Sequence, residues 1–575
     1  MGDAANDFPT PSSQLPFSGA SSVFGSEAEG SGSGSGSASS LKWYRKVPKF
    51  NSRAGHPYEL QSVTLQGPTA TGRVAYTSVT FWPFVGAKTP WKRPEGVSWD
   101  WKKYEGTVAM CSSNRLVVGR CRDKKPWTEL WDMTIQDDLY SVAWTYHPFT
   151  CHPLLAVGGK SALIYIIDAV TKECLRTLRG HGDDILCLTF DPSNPHILAS
   201  CSTDRTTRIW NILGTEPPDP LPGSKPSENY PMGDADEGNK IVAILAGEGK
   251  AGHQSYITCA AFHPTKRAIA TCGLDYTVKI WPLPPLPELT LKPEPTPRGY
   301  RPVVIHFPLF STNRFHDDFL DHVDWLGDDV LVTRVAQQII TWQWLGYKRY
   351  FNDYEYAPLS MDPPSSDYTG SGSYIVIARY PNLVGAWFVS PGIHHAFVPA
   401  PSEREAFPDL VTDPLIGFCA QRGGAPEVLL YNPLLAQDDG SVPEPITDLR
   451  VIPSSPSDSE DEEDESDAGM EVEEVDRVVK KDYPDLISPN STYSRNSRPQ
   501  NVRNASLEPW RLVASDWPKV LRNSGLKSWL PPDHLTAIQH VAISPRGAQW
   551  IVGVGSGMAV FVWRLGGREM GEMRK

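Results

Sequence analysis

The sequence predicts an all-β fold assembled from repeated units of short antiparallel strands. Three observations carry that expectation. First, two stretches repeat each other, GHGDDILCLTFDPSNPHILASCSTDRTTRIW at 180–210 and GHQSYITCAAFHPTKRAIATCGLDYTVKIW at 252–281. Each has Gly-His, an alternating run ending in Phe-x-Pro, a second run, an Asp, and a Trp six residues after that Asp. Repetition on this scale marks stacked supersecondary units, none of which can bury its apolar face alone. Second, Pro (53) and Gly (46) are plentiful while charged residues make up only 21% of the chain. That mix disfavours coiled coils and helical solenoids. Third, short apolar runs bounded by turn residues recur along the chain, as strands do.

Residues 1–40 are mostly Ser, Gly, Ala and Pro. They are expected to form a disordered tail, because they cannot bury enough surface to offset their ordering entropy. The repeat-bearing domain is expected over 41–566, followed by a short tail at 567–575. YELQSVTLQ (58–66) reads as a strand able to complete the last unit and remove an exposed edge. A turn marker recurs at Tyr146-His147-Pro148, Phe190-Asp191-Pro192, Phe262-His263-Pro264, Val389-Ser390-Pro391 and Ile543-Ser544-Pro545. Proline there blocks ladder pairing and fixes a turn between strands. Trp342 and Trp563 end strands as Trp210 and Trp281 do. Unit centres near 96–121, 138–168, 185–212, 256–282, 320–344, 384–432 and 535–565 make seven units. Long insertions are expected at 68–93, 214–238, 283–300 and 436–506.

The formal charge of −13 is local. Residues 458–476 hold twelve carboxylates and no Lys or Arg, so −13 − (−12) leaves −1 for the rest. The near-neutral remainder, with one basic and aromatic stretch at 41–53 (LKWYRKVPKFNSR), gives no stripe for sequence-specific nucleic-acid binding. That stretch reads instead as an arm lying beside the domain or on a partner. No run approaches the length of a membrane span, and MGDAANDFPT lacks the regions of a signal peptide. The nine cysteines include no CxxC pair and suggest a reducing compartment.

Motifs for chemistry are absent. There is no GxSxG, GxxxxGK[ST] or HExxH, and GVGSGM (553–558) reads as a turn between strands. His147, Cys151 and His152, or His394 and His395, have no second half at ligand spacing, so neither a metal nor a cofactor is expected. The chain reads as a non-enzyme.

The repeats resemble the WD-repeat family, whose units are four-stranded blades of a β-propeller. The implied fold is a seven-bladed WD-repeat propeller with inserted loops. In that family a His, a Ser or Thr, an Asp and a Trp form a buried network within a blade. His181, Ser202, Asp204 and Trp210 match it, and His253, Asp275 and Trp281 match it in part. The resemblance assigns these residues a structural role.

One stretch is more specific. Ile305-His306-Phe307-Pro308, Phe310-Ser311-Thr312 and Trp325-Leu326-Gly327-Asp328 resemble the fifth blade of the extra sex combs family of Polycomb-group propellers. Ala143-Trp144-Thr145-Tyr146, His152-Pro153-Leu154-Leu155-Ala156-Val157 and Gly180-His181-Gly182 agree in the same order. The resemblance implies a nuclear, non-catalytic subunit of Polycomb repressive complex 2. Its implied partners are an enhancer-of-zeste-type SET-domain methyltransferase, the other subunits of that complex, and the histone H3 tail. The family reads trimethyl-lysine through an aromatic cage, using cation–π attraction to a quaternary ammonium. Carried over, the cage falls on Tyr140, Glu95, Trp387 and Phe388, with Glu95 replacing an aromatic wall and Gln539 replacing a family arginine. Two roles stay open, methyl-lysine reader and scaffold alone. The competing reading is a ubiquitin-ligase substrate receptor. The Trp-Asp-x-Arg element common in those receptors is missing, since the positions read Trp210-Asn211-Ile212-Leu213 and Trp281-Pro282-Leu283-Pro284.

Overall fold

The computed structural model describes residues 42–45, 56–65, 75–85, 99–213, 241–287, 302–336, 338–352, 355–359, 363, 365–381, 388–396, 410–422, 425–436, 509–514 and 538–566. The expected tails, the loop 214–238, most of 283–300 and all but the start of 436–506 lie outside these residues, as do Glu95 and Trp387.

The first repeat forms its unit around the strand Ile197–Ser202, which is buried at every position. Ile185–Phe190, Ile197–Ser202, Thr207–Asn211 and Ile241–Leu245 pair antiparallel in chain order. Val303–Ile305 adds parallel to the last of them. The second repeat gives Ile257–Phe262, Ala268–Gly273 and Val278–Pro282, completed by Phe310–Thr312. In both, an Asp shapes the hairpin between the second and third strands. Asp204 and Asp275 accept the amides of Thr206 and Thr277, and the residue between, Arg205 or Tyr276, takes a left-handed backbone (φ 68° and 66°). A side chain that bonds backbone two residues on makes such a turn tolerable without glycine.

Six sheets form among the described residues, where the sequence predicts seven units. The expected first and second units share one six-stranded ladder running from Ser78–Phe81 to Cys174–Leu178. Two of its segments, Thr107–Arg122 and Lys125–Tyr146, are unusually long. The first doubles back on itself. The amide of Cys121 donates to the carbonyl of Gly106 at 2.9 Å, although fifteen extended residues would span about 50 Å. The reversal sits at Ser113, with φ 43° and a register shift before Arg115. Lys125–Tyr146 pairs backwards with Thr107–Arg122 over its first half and forwards with Pro153–Gly159 over its second.

Ser78–Phe81 corrects one expectation, since it is a strand inside the stretch 68–93 read as an insertion. It pairs with Val108–Cys111. The Ser390-Pro391 marker also differs from the others, because it precedes the strand Gly392–His394 instead of following one.

Closure comes from early in the chain. Tyr58–Leu65 pairs antiparallel with Ala559–Leu565, from Tyr58 opposite Leu565 to Leu65 opposite Ala559. The described part of the basic stretch, residues 42–45, docks on the domain itself. Tyr44 is buried, Trp43 meets the rings of Tyr58 and Trp510 edge-on, and Arg45 forms a two-pronged ion pair with Asp413. The strand-ending tryptophans Trp210, Trp281, Trp342 and Trp563 are all buried between sheets. Truncating any one of them would cost about 3–5 kcal/mol in lost contacts and cavity.

Candidate functional site

The polar network forms between the hairpin Asp and the buried Trp. The Trp210 indole donates to Ser200 Oγ at 2.7 Å, Ser200 Oγ lies 2.7 Å from His181 Nε2, and His181 Nδ1 lies 2.8 Å from Asp204. An indole only donates and a carboxylate only accepts. The proton order therefore runs Trp to Ser to His to Asp, with a neutral imidazole. Burial holds His181 below its ordinary range, against the pull of Asp204. Burial alone would raise Asp204, but its bonds from His181, Thr206 and Gly182 hold it well below the usual carboxylate range. The second repeat matches, with Trp281 to Thr271 at 2.8 Å, Thr271 to His253 at 2.8 Å and His253 to Asp275 at 3.0 Å.

His181, Asp204 and Trp210 come together, as do His253, Asp275 and Trp281. Ser202 does not join them. Its hydroxyl donates to the Asp183 carbonyl and accepts the Asp204 amide, and Ser200 is the network hydroxyl. Thr271 is a network residue that sequence reasoning left unnamed. These groups are enclosed and mutually satisfied, which fits rigidity and not catalysis.

Seven short segments neighbour one another around a central channel: Ser78–Phe81, residues 139–146, Ile185–Phe190, Ile257–Phe262, Leu320–Trp325, Gly392–His394 and Ile538–Ile543. All seven contribute to a cavity of about 610 Å³ where they end. Its wall mixes the apolar Phe81, Trp144, Phe190, Phe262, Trp325 and Ile543 with the polar Asp191, Asp324 and His395. Pro83, Pro192, Pro264 and Pro545, each just past an inner strand, rim this lower mouth.

The upper mouth, where the same strands begin, is polar and aromatic. Tyr140 sits there half-buried. Burial, and then the carboxylates of Asp184, Asp138 and Asp137, push its hydroxyl above the usual range. Phe388 is 52% exposed, with a left-handed backbone at φ 57°. Its amide donates to Asp321 Oδ2 at 2.9 Å. Asp321 is ion-paired to Arg334, and both side chains are almost wholly buried. The Arg334 guanidinium lies 5.1 Å from the centre of the Phe418 ring. Burial pushes the Asp321 carboxyl up, against the opposing pull of Arg334. A buried Asp-Arg pair beneath an exposed Phe left no trace in the sequence pattern, since Asp321 reads as one carboxylate among several. Of the four residues assigned to a cage, Tyr140 and Phe388 lie on this mouth, and Glu95 and Trp387 are outside the described residues. Gln539 is the second residue of the strand Ile538–Ile543, near the start of that strand.

Among the described residues no group of three or more His, Cys, Asp or Glu is arranged to hold a metal ion. His147 caps its own turn by accepting the amides of Phe149 and Thr150, and His152 pairs with Asp168 at 2.9 Å. No helix among the described residues is long and apolar enough to cross a membrane.

Residues 172–211 and 248–282 match the WD40 family (WD domain, G-beta repeat). Over 298 residues the chain is 26% identical to the Polycomb group protein FIE1 of Zea mays, covering 50% of this chain and 54% of that protein. Over 247 residues it is 28% identical to the Polycomb protein EED of Chaetomium thermophilum, covering 43% and 38%. The chain is a WD40 propeller protein related to the EED/esc/FIE Polycomb proteins. It spans about half the length of the curated relatives it matches. A solved structure of ctPRC2 in complex with H3K27me3 and H3K27M shares the fold, with a TM-score of 0.54 and 18% identity over 88% of this chain and 98% of that one.

Proposed function

We propose that this WD40 protein is a nuclear, non-catalytic subunit of a Polycomb-type histone H3 lysine methyltransferase complex. The observation that carries the reading is its relationship to the EED, esc and FIE proteins, at 26–28% identity over 41–50% of the chain. We read the propeller as seven-bladed. Seven segments line the lower mouth, and the doubled-back Thr107–Arg122 separates the six-stranded ladder into two blades.

The two mouths suit different partners. The apolar lower mouth suits the hydrophobic face of an amphipathic helix, here assigned to the enhancer-of-zeste-type SET-domain subunit. The upper mouth offers Tyr140, backed by three carboxylates, and the exposed ring of Phe388. Such a surface favours a cation that carries methyl groups, because the ring quadrupole attracts charge that water solvates poorly. The histone H3 tail trimethylated on lysine is the ligand of that class in this reading.

Two measurements test it. Affinity purification of the full chain from nuclear extract is expected to recover a SET-domain methyltransferase, and recovery of a cullin adaptor in its place would overturn the assignment. A trimethylated H3 peptide is expected to bind more tightly than its unmethylated form. Tyr140→Ala should weaken that binding about 3- to 30-fold, the equivalent of about 0.6–2 kcal/mol. Equal binding of both peptides would leave the scaffold role alone.

A further inference from the structure

Cysteines are not spread evenly through the ring. Cys187 and Cys259 occupy the third positions of two neighbouring inner strands, Ile185–Phe190 and Ile257–Phe262. Their sulfurs lie 3.9 Å apart across the seam between two blades. Cys187 packs against the hydrophobic cluster that spans this seam and against the one between the Cys259 sheet and the next. It is also the one half-buried thiol of the nine, the other eight being buried. The next inner strand, Leu320–Trp325, presents His322 at its own third position, with Nδ1 3.8 Å from Cys259 Sγ. His322 Nε2 is buried without a hydrogen-bond partner among the described residues. Three successive strands thus bring two thiols and an imidazole to one level of the channel wall.

From this arrangement we propose that Cys187 and Cys259 are an oxidation site, closing to an inter-blade disulfide when the protein meets a peroxide. The Cys187 thiolate attacks one peroxide oxygen, breaking the O–O bond, and becomes a sulfenic acid while hydroxide leaves and is protonated to water. The Cys259 sulfur then attacks the sulfenic sulfur. Its proton passes to His322 and on to the departing hydroxide, giving a second water. The sum is two thiols plus hydrogen peroxide to one disulfide plus two waters, with both electrons drawn from the sulfur pair. Cys187 is the half-buried sulfur of the pair, which favours it as the first to meet peroxide. Closing the sulfurs from 3.9 Å to a bond of about 2.05 Å needs side-chain rotation and a small approach of the two strands.

Two other pairings are available. Cys201 stands opposite Cys187 in its own sheet, and Cys272 opposite Cys259. Both are engaged elsewhere, Cys201 with Thr207 and Cys272 with Thr258, and both are fully enclosed.

The test uses the full chain, first reduced and then treated with a small excess of hydrogen peroxide. Free thiols are then blocked in denaturant and the digest is read by mass spectrometry. Two of the nine thiols should become unavailable, with a reductant-sensitive linkage joining the Cys187 and Cys259 peptides. Cys187→Ser and Cys259→Ser should each abolish the linkage while the circular dichroism spectrum keeps its β character. His322→Gln should slow linkage several-fold without changing which pair forms. Nine reactive thiols after treatment, a Cys187–Cys201 linkage, or Cys187 ending only as a sulfinic acid would each overturn the proposal.

Discussion

Ser200 and Thr271 each serve two ring nitrogens at once, accepting from an indole and bonding an imidazole. Removing such a hydroxyl strands both rings in a dry interior. Ser200→Ala should therefore destabilise the protein by about 1–3 kcal/mol, more than an exposed Ser→Ala change, as read by urea denaturation. Arg334 is a sharper case. Replacing it with leucine leaves the Asp321 carboxylate buried and uncompensated, and should cost about 3–5 kcal/mol. Protonation acts through the histidines. Burial depresses His263, His394 and His540 to about 4, and holds His181 and His253 below the ordinary value of 6.5. The unfolded chain binds protons first, so stability should be full above pH 6.5 and fall as pH drops from there toward 4. Denaturation midpoints at pH 7.5, 6 and 5 check this, and a flat profile would contradict it.

The choice between Ser200 and Ser202 shows how far strand periodicity reaches. Both lie on one face of Ile197–Ser202, so alternation cannot separate them. Register can. Trp210 stands opposite Leu198, Trp281 opposite Ile269 and Trp342 opposite Leu331. The hydroxyl lies two residues beyond each of these partners, at Ser200, Thr271 and Thr333. Thr333 bonds His316 at 3.0 Å, although Trp342 Nε1 has no hydrogen-bond partner among the described residues, so the unit around 320–344 keeps only half the network.

At the scale of elements, the repeats at 180–210 and 252–281 were legible because each carries a full set of turn, strand and tryptophan signals. The inner strand Ser78–Phe81 was not, since four residues followed by Trp82-Pro83 look like loop when the partner Val108–Cys111 is unknown. The closing strand was legible as an alternating run with nothing nearby to pair with. Deleting residues 1–65 removes Tyr58–Leu65 and leaves Ala559–Leu565 as an open edge. The expected outcome is a thermal midpoint lowered by at least several degrees and a tendency to associate, read by calorimetry and light scattering. A variant lacking only 1–41 retains that strand and should melt like the whole chain.

Across the whole molecule, the acidic segment at 458–476 carries nearly all of the net charge, while the ring divides its chemistry between two mouths. Aromatic and apolar side chains gather where the inner strands end, and carboxylates gather around Tyr140 where they begin. Neither distribution can be seen in a linear sequence, because each mouth takes residues from strands separated by hundreds of positions. Salt should discriminate between them. Binding at the carboxylate-rich mouth should weaken as ionic strength rises from 50 to 500 mM, while helix binding at the apolar mouth should change little.

The pairing of Tyr58–Leu65 with Ala559–Leu565 also sets a clock. The early strand leaves the ribosome about 500 residues before its partner exists. At synthesis rates of about 5–20 residues per second, it waits about 25–100 s with its ladder unfilled. During that interval every blade but the last can form, yet the ring stays open and its terminal strand is free to pair with another chain. A nascent polypeptide of this design needs shielding until its final hundred residues emerge, so its yield in cells should depend on chaperone supply more than on the stability of the finished ring.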